Sequence, residues 1–339
     1  MLRNLQQFSV WQRRLIFFSI FGGILVALIA FTWILVNQTL NNGARVTAVP
    51  LNTQTVVHQF AALPDDNAYP AAVAVAPSGT VYTGSFSTGA IWGIAPNGLV
   101  TEIPGTRDGI GAVMGMVVAP DGSLLVVDQL DTDPRSSGGK LMRVKDGTVT
   151  PFTDAKFVSP MDVTIDAAGQ VYVSDSGTNQ VWRFDADGTN GAIWWTSPAQ
   201  PSGSIHPAAT GLAYDATRDA IIVTDPEINT IYRVKVSDAS TETLYAHGDL
   251  PNAPGFDGAT VTPDGTLYVA ALAQNGIAKV EDGKLDYIAG MFRGPSDVTF
   301  AAPNLLYVTN FDQTSIVIPV VHPQLPFALD VIELGGNPS

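Results

Sequence analysis

The chain repeats itself. A short unit, two apolar runs around a polar turn, recurs at 81–94 ("VYTGSFSTGAIWGI"), 124–129 ("LLVVDQ"), 171–184 ("VYVSDSGTNQVWRF"), 221–234, 267–280 and 306–318. Successive copies begin 43, 47, 50, 46 and 39 residues apart, a spacing that marks a repeat architecture. Each copy follows an earlier apolar run and a tight turn, such as Pro77-Ser-Gly79, Pro120-Asp-Gly122 or Pro263-Asp-Gly265. Most copies are followed by one more short run, at 99–103, 148–152, 242–246 and 284–288. Four antiparallel strands per period make a propeller blade, so six periods predict an all-β, six-bladed β-propeller. A ring of blades must close or leave sheet edges bare. Residues 54–61 ("QTVVHQFA") read as a fourth strand with no first three before it, and are expected to complete the last blade. That blade's own strands run to Ile318, and "FALDVIEL" at 327–334 is the rival closing strand.

Composition agrees with short strands and many turns: 14% charged residues, 32 glycines and 23 prolines. Without cysteine the chain has no disulfide, thiol nucleophile or thiolate metal ligand, which suits an oxidising compartment. The net charge is −14, and residues 1–14 hold three arginines and no acid, so the remainder carries −17. A body that acidic repels phosphate backbones, which argues against a nucleic-acid partner.

Residues 15–36 are 22 positions without a charge, roughly 33 Å as a helix against a hydrocarbon core of about 30 Å. Arg13 and Arg14 lie directly before the run and uncharged residues after it. The positive-inside bias puts residues 1–14 in the cytoplasm and the propeller outside, extracellular or periplasmic. The alternative is a secretory signal cut near Ala44 or Ala48, although its apolar region would ordinarily be shorter. The expected division is a tail at 1–14, a transmembrane helix at 15–36, a linker at 37–50, a propeller at 51–324 and a C-terminal tail at 325–339.

With "PDGTLYVA" at 263–270 and "VYVSDSGTNQVWRF" at 171–184, the chain resembles the senescence marker protein/gluconolactonase family and the related NHL-repeat and strictosidine-synthase-like propellers. The resemblance covers about residues 52–320. It implies a divalent cation (calcium, magnesium, manganese or zinc) at one mouth of the central channel, held by oxygen ligands in the loops that lead into the innermost strands. It also implies metal-assisted hydrolysis of a lactone or small ester. The matching positions are Ala71, Met114, Met161, Thr210, Asp257 and Ser296, and Asp257 is the one that keeps a carboxylate. Asp257 is therefore the candidate metal ligand and catalytic acid, with Thr210, Ser296, Met114 and Met161 lining a substrate site.

A second ring of positions closes the second strand of each unit: Ser85, Asp128, Asp175, Asp225, Ala271 and Asn310. Asp128, Asp175 and Asp225 read either as an acidic rim that adds metal ligands or as side chains that hold their turns through backbone N–H groups. His206, in the long loop before the fourth unit, is a candidate general base or a solvated residue. Arg293 in "MFRGPSD" is placed to hold a carboxylate or lactone oxygen. Trp194 and Trp195 either wall a pocket or pack between blades. In 128–144, Asp131 and Asp133 alternate like calcium ligands, but an EF-hand's glycine and distal glutamate are missing. Two functions follow: a membrane-anchored lactonase-like hydrolase, or a non-catalytic propeller that binds a small molecule, a polymer or an external protein.

Overall fold

A computed structural model describes residues 9–41, 46–133, 136–198, 209–318 and 320–335. The chain divides into two units, Met1–Arg45 with Thr314–Gln324, and Val46–Gln313 with Leu325–Ser339.

The second unit is a six-bladed β-propeller. Blade three shows the plan: Pro160–Ile165 is innermost, followed outward by Val171–Asp175, Gln180–Phe184 and Ala192–Thr196, all antiparallel. The inner strands of the other blades are Pro70–Val75, Val113–Val118, Leu212–Asp215, Phe256–Val261 and Val298–Ala301. Turn chemistry fixes each hairpin. Asp166, for example, accepts the N–H groups of Ala168 and Gln170, and Gly169 takes the positive φ that the turn requires.

Adjacent blades pack face to face, so both faces of each sheet are buried and the strands need not alternate. Leu125 and Val127 of blade two, for instance, share a core with Val173 and Phe184 of blade three. Trp195, at the outer strand of blade three, packs with Tyr232 of blade four, which settles its role as packing. Each large apolar side chain buried this way stabilises the fold by roughly 1.5–3 kcal/mol.

Ring closure uses both rival segments. The last blade is ordered Thr55–Ala62, Ala328–Leu334, Leu305–Val308, Val298–Ala301 from outside in. Thr55 pairs with Leu334 and Ala62 with Ala328. The N-terminal strand is thus outermost, as expected, but the third strand is not the stretch ending at Ile318. That stretch forms a short helix, Gln313–Val317, inside a long insertion. Prolines 319, 323 and 326 remove backbone donors there, whereas Ala328–Leu334 has none and buries its first five residues. The expected tail at 325–339 therefore contributes a strand sandwiched between two others. The expected linker also ends early: Ala48 is buried, and Val49–Pro50 adds a fifth strand to blade five, Val49 opposite Gly290.

In the first unit the helix runs Val10–Asn41, longer at both ends than the apolar run. Ser9 and Gln12 cap its start reciprocally: Gln12 N–H donates to Ser9 Oγ, and Ser9 N–H to Gln12 Oε1. Within Val10–Asn37 the most apolar 18-residue stretch has mean hydropathy 2.6, and the helix is long and apolar enough to cross a membrane.

Candidate functional site

All six inner strands begin at the same mouth of the channel, called here the site mouth. Second strands end there, third strands begin there and fourth strands end there. Just inside it the inner strands shift register, between Pro70 and Ala72, Val113 and Gly115, Pro160 and Val163, and Phe256 and Ala259. Two successive positions at this end of each inner strand matter; in blades three and five both are unpaired, whereas in blades one and two only the first is. The first are those singled out from sequence: Ala71, Met114, Met161, Thr210, Asp257 and Ser296. The second are Ala72, Gly115, Asp162, Gly211, Gly258 and Asp297.

The second set forms a constriction. A Cβ on Gly115 would sit 2.6 Å from Asp162 Cα, and one on Gly258 would sit 2.8 Å from Asp297 Cα. Neighbouring strands meet so closely that glycine is required. The two aspartates use this closeness. Asp162 accepts the N–H of Val163 (2.7 Å) through Oδ1 and that of Leu212 in blade four (2.8 Å) through Oδ2. Asp297 does the same with Val298 and with Val73 in blade one, both at 2.8 Å. Their own N–H groups donate to Ser174 and Thr309, which hold equivalent places on the second strands. Blades three and six are opposite in a ring of six. Asp162 and Asp297 thus face the channel from opposite sides, above a cavity of about 220 Å³ lined also by Met116, Tyr214 and Thr260.

Asp257 lies one residue before the constriction in blade five, its carbonyl accepting from Thr224 Oγ1 at 2.7 Å. Burial pushes the Asp162 carboxyl up to about 7, against the pull of its two N–H donors. Burial, and then the charge of Asp162, raise Asp257 well above the usual carboxylate range. Asp297 is raised by the same two causes, with Asp257 adding a smaller push. Three carboxyl groups from blades three, five and six therefore share one electrostatic site, the arrangement that separates acids from bases near neutral pH.

The other expected residues are placed differently. Ser296 Oγ donates to Ala71 O across the blade six–blade one seam (2.7 Å), and Thr210 Oγ1 lies 3.1 Å from Thr224 Oγ1. Both residues are buried; the Ser296 hydroxyl joins two blades, and that of Thr210 bonds within blade four. Met114 packs on the blade two–three core, and Met161 Sδ is 3.0 Å from Gln129 Nε2. Arg293 is buried, paired with Asp312 at 3.2 Å and lying over the Phe327 ring at 5.9 Å. His206 lies outside the described residues.

The second ring anchors loops. Asp175 accepts the N–H groups of Val158 and Ser159, and Asp128 those of Gly111, Ala112 and Leu130. Asp225 accepts from Glu227 and Ile228, and burial raises its carboxyl. Four of these bonds, those to Val158, Ser159, Gly111 and Ala112, reach the loop before the inner strand of the same blade, so Asp128 and Asp175 tie loops of the site mouth together, while Asp225 holds its own turn.

Among the described residues no three His, Asp or Glu side chains converge closely enough to hold a metal ion. Hard divalent cations need several oxygen ligands. Asp257 has alanine, methionine, threonine and serine at the other five matching positions, and the two hydroxyls are engaged elsewhere. This donor set does not fit the cation that the resemblance implies.

Asp162 and Asp297 were not among the residues expected from sequence. Their signal is a pair of related strings, "SPMDVTI" and "GPSDVTF", three repeats apart. Each aspartate stands one residue after a matching position, Met161 or Ser296.

Comparison with known proteins agrees with this fold. The NHL repeat family matches residues 157–184, within blade three. No curated protein matches the chain. A solved gluconolactonase from Xanthomonas campestris is similar at 17% identity and TM-score 0.60, over 86% of this chain and 98% of that one. Virginiamycin B lyase from Staphylococcus aureus gives 18% identity and TM-score 0.53, over 76% and 82%. A chain of a nidogen/laminin complex gives 16% and 0.56, over 74% and 97%. What these share with the present chain is the propeller, and one propeller fold hosts catalysts and protein-binding modules alike.

Proposed function

We propose that the chain is a membrane-anchored propeller outside the cytoplasm that hydrolyses a lactone or small ester with its own carboxyl groups. The observation that carries this reading is the mutual electrostatic coupling of Asp162, Asp257 and Asp297 at the channel constriction. Asp257, whose carboxyl burial and the charge of Asp162 raise well above the usual range, is the acid and donates a hydrogen bond to the substrate carbonyl. Asp162, ionising near 7, takes a proton from water. The water oxygen bonds to the acyl carbon, the carbon–oxygen bond of the ester breaks, and the leaving alkoxide takes a proton from the acid. The product is a hydroxy acid, or an acid and an alcohol. The uncharged run 15–36 within the helix Val10–Asn37, with Arg13 and Arg14 directly before that run, supports the anchor and an external propeller.

The test is turnover of a panel of five- and six-membered lactones and short aryl esters by the full chain in lipid nanodiscs, read by proton release. The rate is expected to rise as pH passes through about 7 and to fall at least roughly a hundredfold in Asp257→Asn, the scale of general acid–base catalysis. No turnover above buffer, or an Asp257→Asn chain at full rate, sinks the reading.

A second reading, a non-catalytic module that binds a ligand, polymer or partner protein, is favoured by Met114 and Met161 at two matching positions. It predicts saturable binding of such a partner without turnover, unchanged in Asp257→Asn.

A further inference from the structure

Most of the large exposed apolar side chains outside the N-terminal helix lie on loops that open at one end of the propeller. The insertion between the second and third strands of blade six, 309–327, emerges at the site mouth. From 313 to 327 it contains no acid, lysine or arginine, in a chain with 31 acids. It exposes Val317 (68%), Ile318 and Val320. Five further exposed apolar residues lie on other loops of the same mouth: Leu130, Val158, Ile228, Leu250 and Met291. Among the described residues of the propeller, three large exposed apolar side chains lie elsewhere: Leu99 in a far-mouth turn, Ile193 at the far-mouth start of an outer strand, and Leu51 just after Val49–Pro50. An apolar patch concentrated at one end of a soluble-type fold marks an interaction surface.

Chain connectivity says what that surface meets. The apolar helix ends at Asn41, and the propeller begins with Val49, paired with Gly290 at the site-mouth end of blade five's outer strand. The seven residues 42–48 reach about 25 Å at full extension. The tether is thus short, and it joins the propeller at the site-mouth rim.

We propose that the site mouth docks on the lipid bilayer, with the 313–325 insertion as a second membrane contact beside the N-terminal helix. Val317, Ile318 and Val320 enter the headgroup–acyl boundary, and the loops bearing Leu250 and Met291 rest on it. The channel then opens toward the membrane surface, and a ligand reaches the constriction from the lipid phase. The inference rests on the anchoring part of the proposed function and is independent of hydrolysis.

Because the chain has no cysteine, single cysteines report position cleanly. Val317→Cys, Leu250→Cys and, in a far-mouth turn, Asp187→Cys are labelled with an environment-sensitive fluorophore on the full chain in phosphatidylcholine/phosphatidylglycerol vesicles. Lipids with a nitroxide near the headgroup are expected to quench the labels at 317 and 250 several-fold more than the label at 187. Equal quenching at the three sites overturns the proposal. So does a blue-shifted label at 317 that lipid nitroxides do not quench, which would mean cover by protein. A chain that washes off vesicles in alkaline carbonate overturns the anchor and this inference together. One that stays, with equal quenching, overturns this inference and leaves the hydrolase reading standing.

Discussion

Asp162 and Asp297 hold the same place in opposite blades, and each bridges its own strand to the inner strand of the next blade through two N–H groups. The pair is both a structural clamp and the centre of the charged constriction, so its substitutions separate the two roles. Asp297→Ala leaves the N–H groups of Val73 and Val298 without their acceptor inside the channel wall. Removing an acceptor from buried donors costs about 1–3 kcal/mol each. Asp297→Ala is therefore expected to be about 1–3 kcal/mol less stable than Asp297→Asn, which is equally uncharged but keeps one acceptor oxygen. Urea midpoints for the two variants check this, and equal midpoints would dismiss the clamp.

The raised carboxyls set a pH dependence with a definite sign. Asp162 titrates near 7 in the fold and near 3.8 in an unfolded chain. Between those values the folded state holds more protons, so stability falls as pH rises through that window and the full penalty is present above about 7. Asp257 and Asp297, raised further by burial and by Asp162, act in the same direction. Asp162→Asn, uncharged at every pH, is expected to melt higher than the natural chain at pH 8, by roughly 2–4 °C per kcal/mol recovered. At pH 5 the advantage should disappear. Melting curves that run parallel across the window would refute the assignment.

Gly258 and Gly93 give a test of the constriction itself. A Cβ at 258 meets the backbone of Asp297 at 2.8 Å, whereas one at 93 meets the edge of the Tyr82 ring at 3.3 Å. Backbone cannot step aside as a ring can. Gly258→Ala should therefore force the inner strands of blades five and six apart and cost about 1–3 kcal/mol. Gly93→Ala should cost clearly less. Thermal unfolding of both variants decides between a tight ring and a slack one.

Much of this architecture was legible because repeated local chemistry carries it. The period, the Pro-Asp-Gly turns and the apolar runs place all six inner strands, and Asp175 is recognisable as one of a ring of loop-holding side chains. The loops it holds were less legible. Its oxygens reach Val158 and Ser159, 17 and 16 residues earlier, not its own turn. The closing blade was misread in part because "TSIVI" has strand-like composition while its prolines lie just beyond it. The site was half visible. Asp257 stands out at a matching position, but Asp162 and Asp297 act across blade seams, and a seam joins residues 50 or 224 positions apart. No local pattern reports such a pairing.

The last blade makes the strongest demand on the C-terminus. Ala328–Leu334 is hydrogen-bonded on one side to Leu305–Val308 and on the other to Thr55–Ala62. Its Leu329, Val331 and Ile332 are buried in the cores that blade six shares with its two neighbours. Three such side chains stabilise the fold by roughly 5–9 kcal/mol together, comparable with the whole stability of an ordinary domain, about 5–15 kcal/mol. A chain ending at residue 324 would therefore lose the link between its first and last strands and leave two sheet edges bare. It is expected to show no cooperative melting transition by circular dichroism and to aggregate on concentration. Adding a peptide of residues 325–339 during refolding should restore a transition, because the missing strand needs no covalent bond to occupy its slot. A truncated chain that melts cooperatively by itself would show that the N-terminal strand can close the ring alone.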